Sequence, residues 1–118
     1  MKQPYTPNVA GVVMAIAALQ DRAWLDQSVT AITAERVRMT EALRALGWIE
    51  PFPSQTNFVL CRIGGGRDAK AVKQAIEKQG VLVRYLDKDG LRDCLRISVG
   101  KPEHTEALMA SLRSVEAD

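Results

Sequence analysis

Apolar residues recur along this chain with two different periods, and the switches between them mark out its elements. Val9, Val12, Val13, Ile16 and Leu19 fall on one stripe of a helix. The pattern breaks around Gln20–Ala23. A longer stripe then runs through Leu25, Val29, Ile32, Met39, Leu43 and Leu46, interrupted once by Arg36. That spacing predicts an amphipathic helix of about six turns over residues 21–46, ended by Gly47. Thr6 is placed to cap the first helix, with Pro7 at its first position, where a missing N–H carries no penalty.

Period two then takes over. Trp48 and Ile49 read as a short strand, Pro51 and Pro53 bar a helix, and Asn57–Ile63 reads as a strand apolar on both faces, hence central. Gly64–Gly66 turns the chain into a helix over residues 67–79, with Ala69, Val72, Ala75 and Ile76 inward and Gly80 as terminator. Val81–Leu86 and Leu95–Val99 alternate as two strands joined by a polar turn, Asp87–Gly90. Pro102 opens a last helix whose inner face is Thr105, Leu108, Leu112 and Val115. The predicted fold class is α/β (α+β): a small, largely antiparallel sheet of three or four strands with helices on one face, preceded by a long helix of interdomain type. Residues 1–118 are expected to form a single domain, with a junction segment and helix over 1–20, the long helix over 21–46, and a sheet-and-helix body over 47–118.

The chain has 118 residues, 47% apolar and 25% charged, with a net charge of +2, which suits one globular domain with a modest core. That charge, without a Lys/Arg run, gives no footprint for nucleic acid. No apolar run approaches the ~20 residues that span a bilayer. Cys61 and Cys94 lack metal-type spacing and are expected to be free thiols in a reducing compartment. The amino terminus lacks the layout of a secretory signal, so a cytoplasmic location is expected. The turn IGGGRD lacks both G-x-x-x-x-G-K-[ST] and G-x-G-x-x-G and reads as a surface turn. His104, the single histidine, has no nucleophile beside it in sequence and reads as a surface residue. Trp24 and Trp48 read as core or contact residues, and no carboxylate pair stands out for acid–base work.

What remains is a pair of arginines. Each of the last two strands carries one in its middle, Arg84 and Arg96. If those strands pair, two planar guanidinium forks come close enough to share a phosphate or a carboxylate. The plain alternative is two solvated side chains on an open sheet face.

The segments PYTPN, PSQTNFVL, GVLVRYL and CLRISVG, in this order and spacing, resemble the carboxy-terminal small domain of the histidinol-phosphate aminotransferase family. That family lies within the fold-type I, pyridoxal-phosphate-dependent aminotransferases of class I and II, and the resemblance covers essentially the whole chain. It implies that Arg96 takes the part of the family's substrate-anion arginine. That arginine grips a carboxylate in the class at large and a phosphate in this branch. Arg84 is similar to a second arginine of the same pocket. Tyr5 and Asn57 lie inside matched motifs without an assigned role.

The resemblance also implies pyridoxal phosphate as the cofactor of the complete enzyme. Its lysine, the aspartate at the pyridine nitrogen and the groups for its phosphate are expected in a large domain upstream. Lys2 stands too close to PYTPN to be that lysine. Catalytic, cofactor-binding and metal-binding residues are thus expected to be absent from these 118 residues, which by themselves should hold no cofactor and be inactive. The complete enzyme would transfer an amino group between histidinol phosphate, or a related amino compound, and 2-oxoglutarate, in histidine biosynthesis. An apolar face left open toward the large domain could drive self-association. Two other readings stay open: a free-standing anion- or amino-acid-binding module, and a piece of another class I/II aminotransferase or of a threonine-phosphate decarboxylase.

Overall fold

The computed structural model describes residues 8–117. Helix α1 (Val9–Gln20) and helix α2 (Arg22–Ala45) are separated at Asp21. The sheet is built from β1 (Ile49–Pro51), β2 (Phe58–Ile63), β3 (Arg84–Tyr85) and β4 (Cys94–Ser98), with α3 (Ala69–Glu77) between β2 and β3 and α4 (Pro102–Ala117) last. All pairings are antiparallel and the strand order is β1-β2-β4-β3. The chain divides into two compact units, Met1–Ala31 and Ile32–Asp118, the division falling inside α2.

In the first unit, local chemistry sets the helix ends. Asn8, in extended conformation, caps α1 by accepting from the Gly11 N–H at 2.7 Å. The cap is therefore Asn8; Thr6 and Pro7, the expected cap and first helical residue, lie outside the described residues, as do Lys2 and Tyr5. Asp21 ends α1 and also accepts from the Trp24 N–H at 3.1 Å, so one residue closes one helix and opens the next. The stripe Val9, Val12, Val13, Ile16 and Leu19 is exposed, and so is Trp24.

The second unit holds the core. Side chains from one face of the sheet (Ile49, Val59, Cys61, Ile63, Leu95, Ile97) pack with Met39 and Leu43 of α2, Val72 and Ile76 of α3, and Leu108, Met109 and Leu112 of α4. Alternation along β2 and β4 sends Phe58, Leu60, Arg62, Arg96 and Ser98 to the opposite face, away from that core. Asp68 caps α3 through the Ala71 N–H, and Gly80, at φ 85°, turns the chain out of it. His104 caps α4, its Nδ1 accepting from the Lys101 N–H at 3.2 Å.

The strand expected over Val81–Leu86 is paired only at Arg84 and Tyr85. The physical reason is the turn out of α3. The Val81 N–H donates to the Ile76 carbonyl at 3.1 Å, which holds the start of the segment to the helix rather than to β4. The two segments part there and flank a cavity of about 320 Å³ lined by Val81, Val83, Ile97, Val99, Thr105 and Leu108.

Arg36, the single break in the stripe of α2, donates from Nη1 to the Thr56 carbonyl at 2.9 Å. Glu35, beside it, is buried at 7% exposure, where the helix pattern alone leaves a glutamate facing solvent. Arg38 binds it through Nε and Nη2, the shortest contact being 2.8 Å, and reaches on to the Pro102 carbonyl at 2.9 Å. One guanidinium thereby ties α2 to the first turn of α4. The Arg38 hydrogen bonds hold the Glu35 carboxyl below its ordinary range, against the opposing effect of burial. A carboxyl lowered on folding contributes stability that is present above its unfolded pKa, about 4.5, and is lost as pH falls through the folded value. Denaturant midpoints measured from pH 7 to pH 3 should therefore decline below about pH 4.5 in the native chain. Glu35→Gln should start lower at pH 7 and decline less steeply; an unchanged slope would show that Arg38 does not hold Glu35 as described.

Candidate functional site

The open face of the sheet carries three arginines, and their surroundings differ. Arg62, opposite Cys94, donates from Nε to Asp93 at 2.8 Å, lies 3.7 Å from Glu50 across the β1 pairing, and sits over the Phe52 ring. The Cys94 thiol and this guanidinium hold the Asp93 carboxyl below its ordinary range. Arg62 is thus a neutralised structural residue.

Arg96 and Arg84 are placed otherwise. β3 lies against β4 with Arg84 directly opposite Arg96, and Leu60 flanks Arg96 on β2. Neither arginine has a carboxylate within 4.0 Å among the described residues. Like charges directly across a strand pair are unfavourable. They are tolerated here by solvent, and an anion between them would remove the repulsion. Arg96 is half-buried, its guanidinium 5.2 Å from the centroid of the Phe58 ring, while Arg84 is exposed. Arg84 also borders an open groove against α3, of about 470 Å³, where Lys70 and Lys73 add positive charge and Glu77 pairs with Lys73. The pairing that brings the two arginines together is the one their sequence positions led us to expect.

Other candidates take structural places. The Gly64–Gly66 turn is closed by the Gly64 N–H on the Trp48 carbonyl at 2.8 Å, and Arg67 folds back over the Trp48 ring, 4.6 Å from its centroid. Trp48 is buried. His104 serves as a helix cap. Asn57 is exposed, and its carbonyl accepts from the Val99 N–H at 2.8 Å. Among the described residues no group of histidine, cysteine, aspartate and glutamate side chains could hold a metal ion, and no helix is long and apolar enough to cross a membrane. Sequence reasoning missed Phe58 and Arg36 as neighbours of the site. An aromatic residue two positions before a leucine in a central strand reads simply as core.

With this geometry in view, the relatives are informative. The model of aminotransferase class I and II matches residues 1–112. The chain belongs to that family. It is 44% identical over 117 residues to the histidinol-phosphate aminotransferase of Roseiflexus castenholzii, covering 98% of this chain and 32% of the relative. It is 43% identical to the chloroplastic enzyme of that name from Nicotiana plumbaginifolia, covering 95% of this chain and 27% of the relative. The crystal structure of the Clostridium acetobutylicum histidinol-phosphate aminotransferase superposes with a TM-score of 0.87 at 25% identity, over 98% of this chain and 35% of that one. The Sinorhizobium meliloti enzyme, solved in complex with pyridoxal-5'-phosphate, superposes at 0.75 with 33% identity, over 89% of this chain and 29% of that one. This chain thus spans about a third of the length of the aminotransferases it matches.

Pyridoxal phosphate asks its protein for a lysine amine, a partner for the pyridine nitrogen and donors for the phosphate. Lys73 is tied to Glu77, and Lys70, Lys78, Lys88 and Lys101 are exposed. These residues do not fit the group.

The two thiols lend themselves to a direct check. The register sets Cys61 opposite Leu95 and Cys94 opposite Arg62, on opposite faces of the sheet, so they do not bond to each other. Burial pushes the Cys61 thiol up to about 12 and raises that of Cys94 as well. Neither should react with a thiol-specific disulfide reagent at pH 8 in the folded chain, and both should react at once in guanidinium. Rapid labelling of Cys61 in native protein would contradict the packing.

Proposed function

We propose that this chain is the carboxy-terminal domain of a histidinol-phosphate aminotransferase-like enzyme. In this reading Arg96, seconded by Arg84, grips the phosphate or carboxylate of the amino substrate. The observation that carries the proposal is the pair itself: two guanidiniums opposite one another, without a carboxylate among the described residues, on the same face where Arg62 is neutralised. The names of the relatives support a phosphate as the anion. Besides the histidinol-phosphate aminotransferases, an L-threonine-O-3-phosphate decarboxylase from Porphyromonas gingivalis superposes with a TM-score of 0.66 at 26% identity, over 73% of this chain and 27% of that one. Both names carry a phosphorylated amino compound.

In the complete enzyme, pyridoxal phosphate would supply the electron sink for amino transfer. The part of this domain would be to bind and orient. Arg96, held against Phe58, offers its N–H edge to the anion, and Arg84 adds a second fork from the strand edge. With the anion end fixed, the amino end of the substrate is aimed at the reacting centre. Such anchoring converts remote binding energy into orientation. The lysine and carboxylates of that centre are not among the described residues, so the 118-residue chain alone would not transaminate.

In the complete enzyme, Arg96→Gln should raise KM for histidinol phosphate by about 10–100-fold, the worth of ~1.5–3 kcal/mol in charge-assisted hydrogen bonds. Arg84→Gln should raise it less, because Arg84 is the more exposed. A KM unchanged in Arg96→Gln would overturn the assignment. Tight phosphate binding by the chain alone, lost in Arg96→Gln, would instead favour a free-standing binding module.

The apolar side chains Val13, Ile16, Leu19 and Trp24 are each more than half exposed, and the remaining polypeptide of a complete aminotransferase is the cover this reading supplies. The chain expressed alone should therefore associate with rising concentration in sedimentation velocity. The double change Ile16→Glu, Leu19→Glu should abolish that; association that persists in the double variant would place the contact elsewhere.

A further inference from the structure

Arg96 is aimed by its neighbours as well as by its strand. Phe58 stands diagonally from it on β2, on the same face, because Phe58 pairs with Ser98 and Leu60 with Arg96. The guanidinium lies over the ring, 5.2 Å from its centroid, within the range of a cation–π contact. Phe58 is in turn held by the loop before it. The Ser54 hydroxyl donates to the Phe58 carbonyl at 2.5 Å, the Thr56 hydroxyl to the same oxygen at 3.2 Å, and the Phe58 N–H to Thr56 Oγ1 at 3.4 Å. Helix α2 fastens that loop from outside through Arg36 and the Thr56 carbonyl. Val99, just past β4, fastens it from inside through the Asn57 carbonyl.

From this geometry we infer that Phe58 is a positioning residue for Arg96, and that the Ser54–Asn57 loop, latched to α2 by Arg36, sets the position of the ring. The inference rests on the anion-binding role proposed for Arg96. The ring occupies one face of the guanidinium and removes water from it, and its N–H edge is left for a ligand. A long arginine freed of the ring has several rotamers to lose on binding an anion; one stacked beforehand has fewer. Among the described residues no aromatic ring lies under Arg84, which is exposed, so Arg96 is the member of the pair that its neighbours preorganise.

The test is nuclear magnetic resonance of the arginine Nε–Hε groups in the 118-residue chain at pH 6 and low salt, titrated with inorganic phosphate. In the native chain the Arg96 Hε signal should lie upfield, shifted by the ring current, with a nuclear Overhauser contact to the Phe58 ring protons. Phosphate should move the Arg96 and Arg84 signals together along one saturable curve of weak affinity, as expected of an anion site without the rest of the enzyme, and Arg96→Gln should abolish that response. Phe58→Leu should return the Arg96 signal to its random-coil position and raise the phosphate Kd by roughly two- to fivefold, the worth of an exposed cation–π contact. Phe58→Tyr, which keeps the ring, should restore both. If Arg96→Gln removes the response while Phe58→Leu leaves Kd and the Arg96 shift unchanged, the positioning role is overturned and the anion site stands. If phosphate moves neither arginine in the native chain, the anion site falls and the positioning role with it. The Overhauser contact needs no variant, so a leucine variant that fails to fold does not shield the inference; its absence in the native chain overturns it.

Discussion

The β2–β4 pairing is the constraint on which the rest of the second unit depends. Its register, Val59 against Ile97 and Cys61 against Leu95, decides which side chains enter the core and which face outward. A slip of β4 by one residue would send Arg96 inward and expose Leu95 and Ile97. The buried side of the pair is locked by apolar contacts with three helices. The orientation of Arg96 is thus a consequence of burying its neighbours in the strand. The charge needs no dedicated scaffold; alternation along the strand supplies it.

The same pairing explains why three arginines on one face behave differently. Arg62 stands where β1 and the Asp93 turn bring carboxylates alongside it, and its charge is absorbed. Arg96 stands one pleat further along, where its neighbours are Leu60, Phe58 and the arginine of β3. An apolar wall, an aromatic ring and a second cation form an environment that favours an anion and, among the described residues, brings no carboxylate of its own. Membership of the aminotransferase class I and II family gives this unpaired charge a chemical context.

Most of the elements were readable from periodicity. The long stripe ending at Leu46 and Gly47 became α2, Arg22–Ala45, and Asp68, Gly80 and Pro102 mark helix boundaries close to where expected. What was not readable follows from contacts distant in sequence. The shortening of β3 to Arg84–Tyr85 comes from Val81 being held by the end of α3. The burial of Glu35 depends on Arg38 reaching α4, more than sixty residues on. A glutamate on a helix reads as solvent-facing unless its partner is known.

The sequence by itself determined the alternation that gives Arg84 and Arg96 a strand each, the helix stripes, and the four motifs that resemble the aminotransferases. These are local properties, written in the identity and spacing of neighbouring residues. The tertiary structure decided which arginines keep their charge free. Only the strand order β1-β2-β4-β3 brings Glu50 and Asp93 to Arg62, Arg84 to Arg96, and Phe58 beneath Arg96. Exposed charges are largely screened beyond about 8–10 Å at physiological ionic strength, so the function of a charge depends on spatial neighbours that the linear order does not reveal.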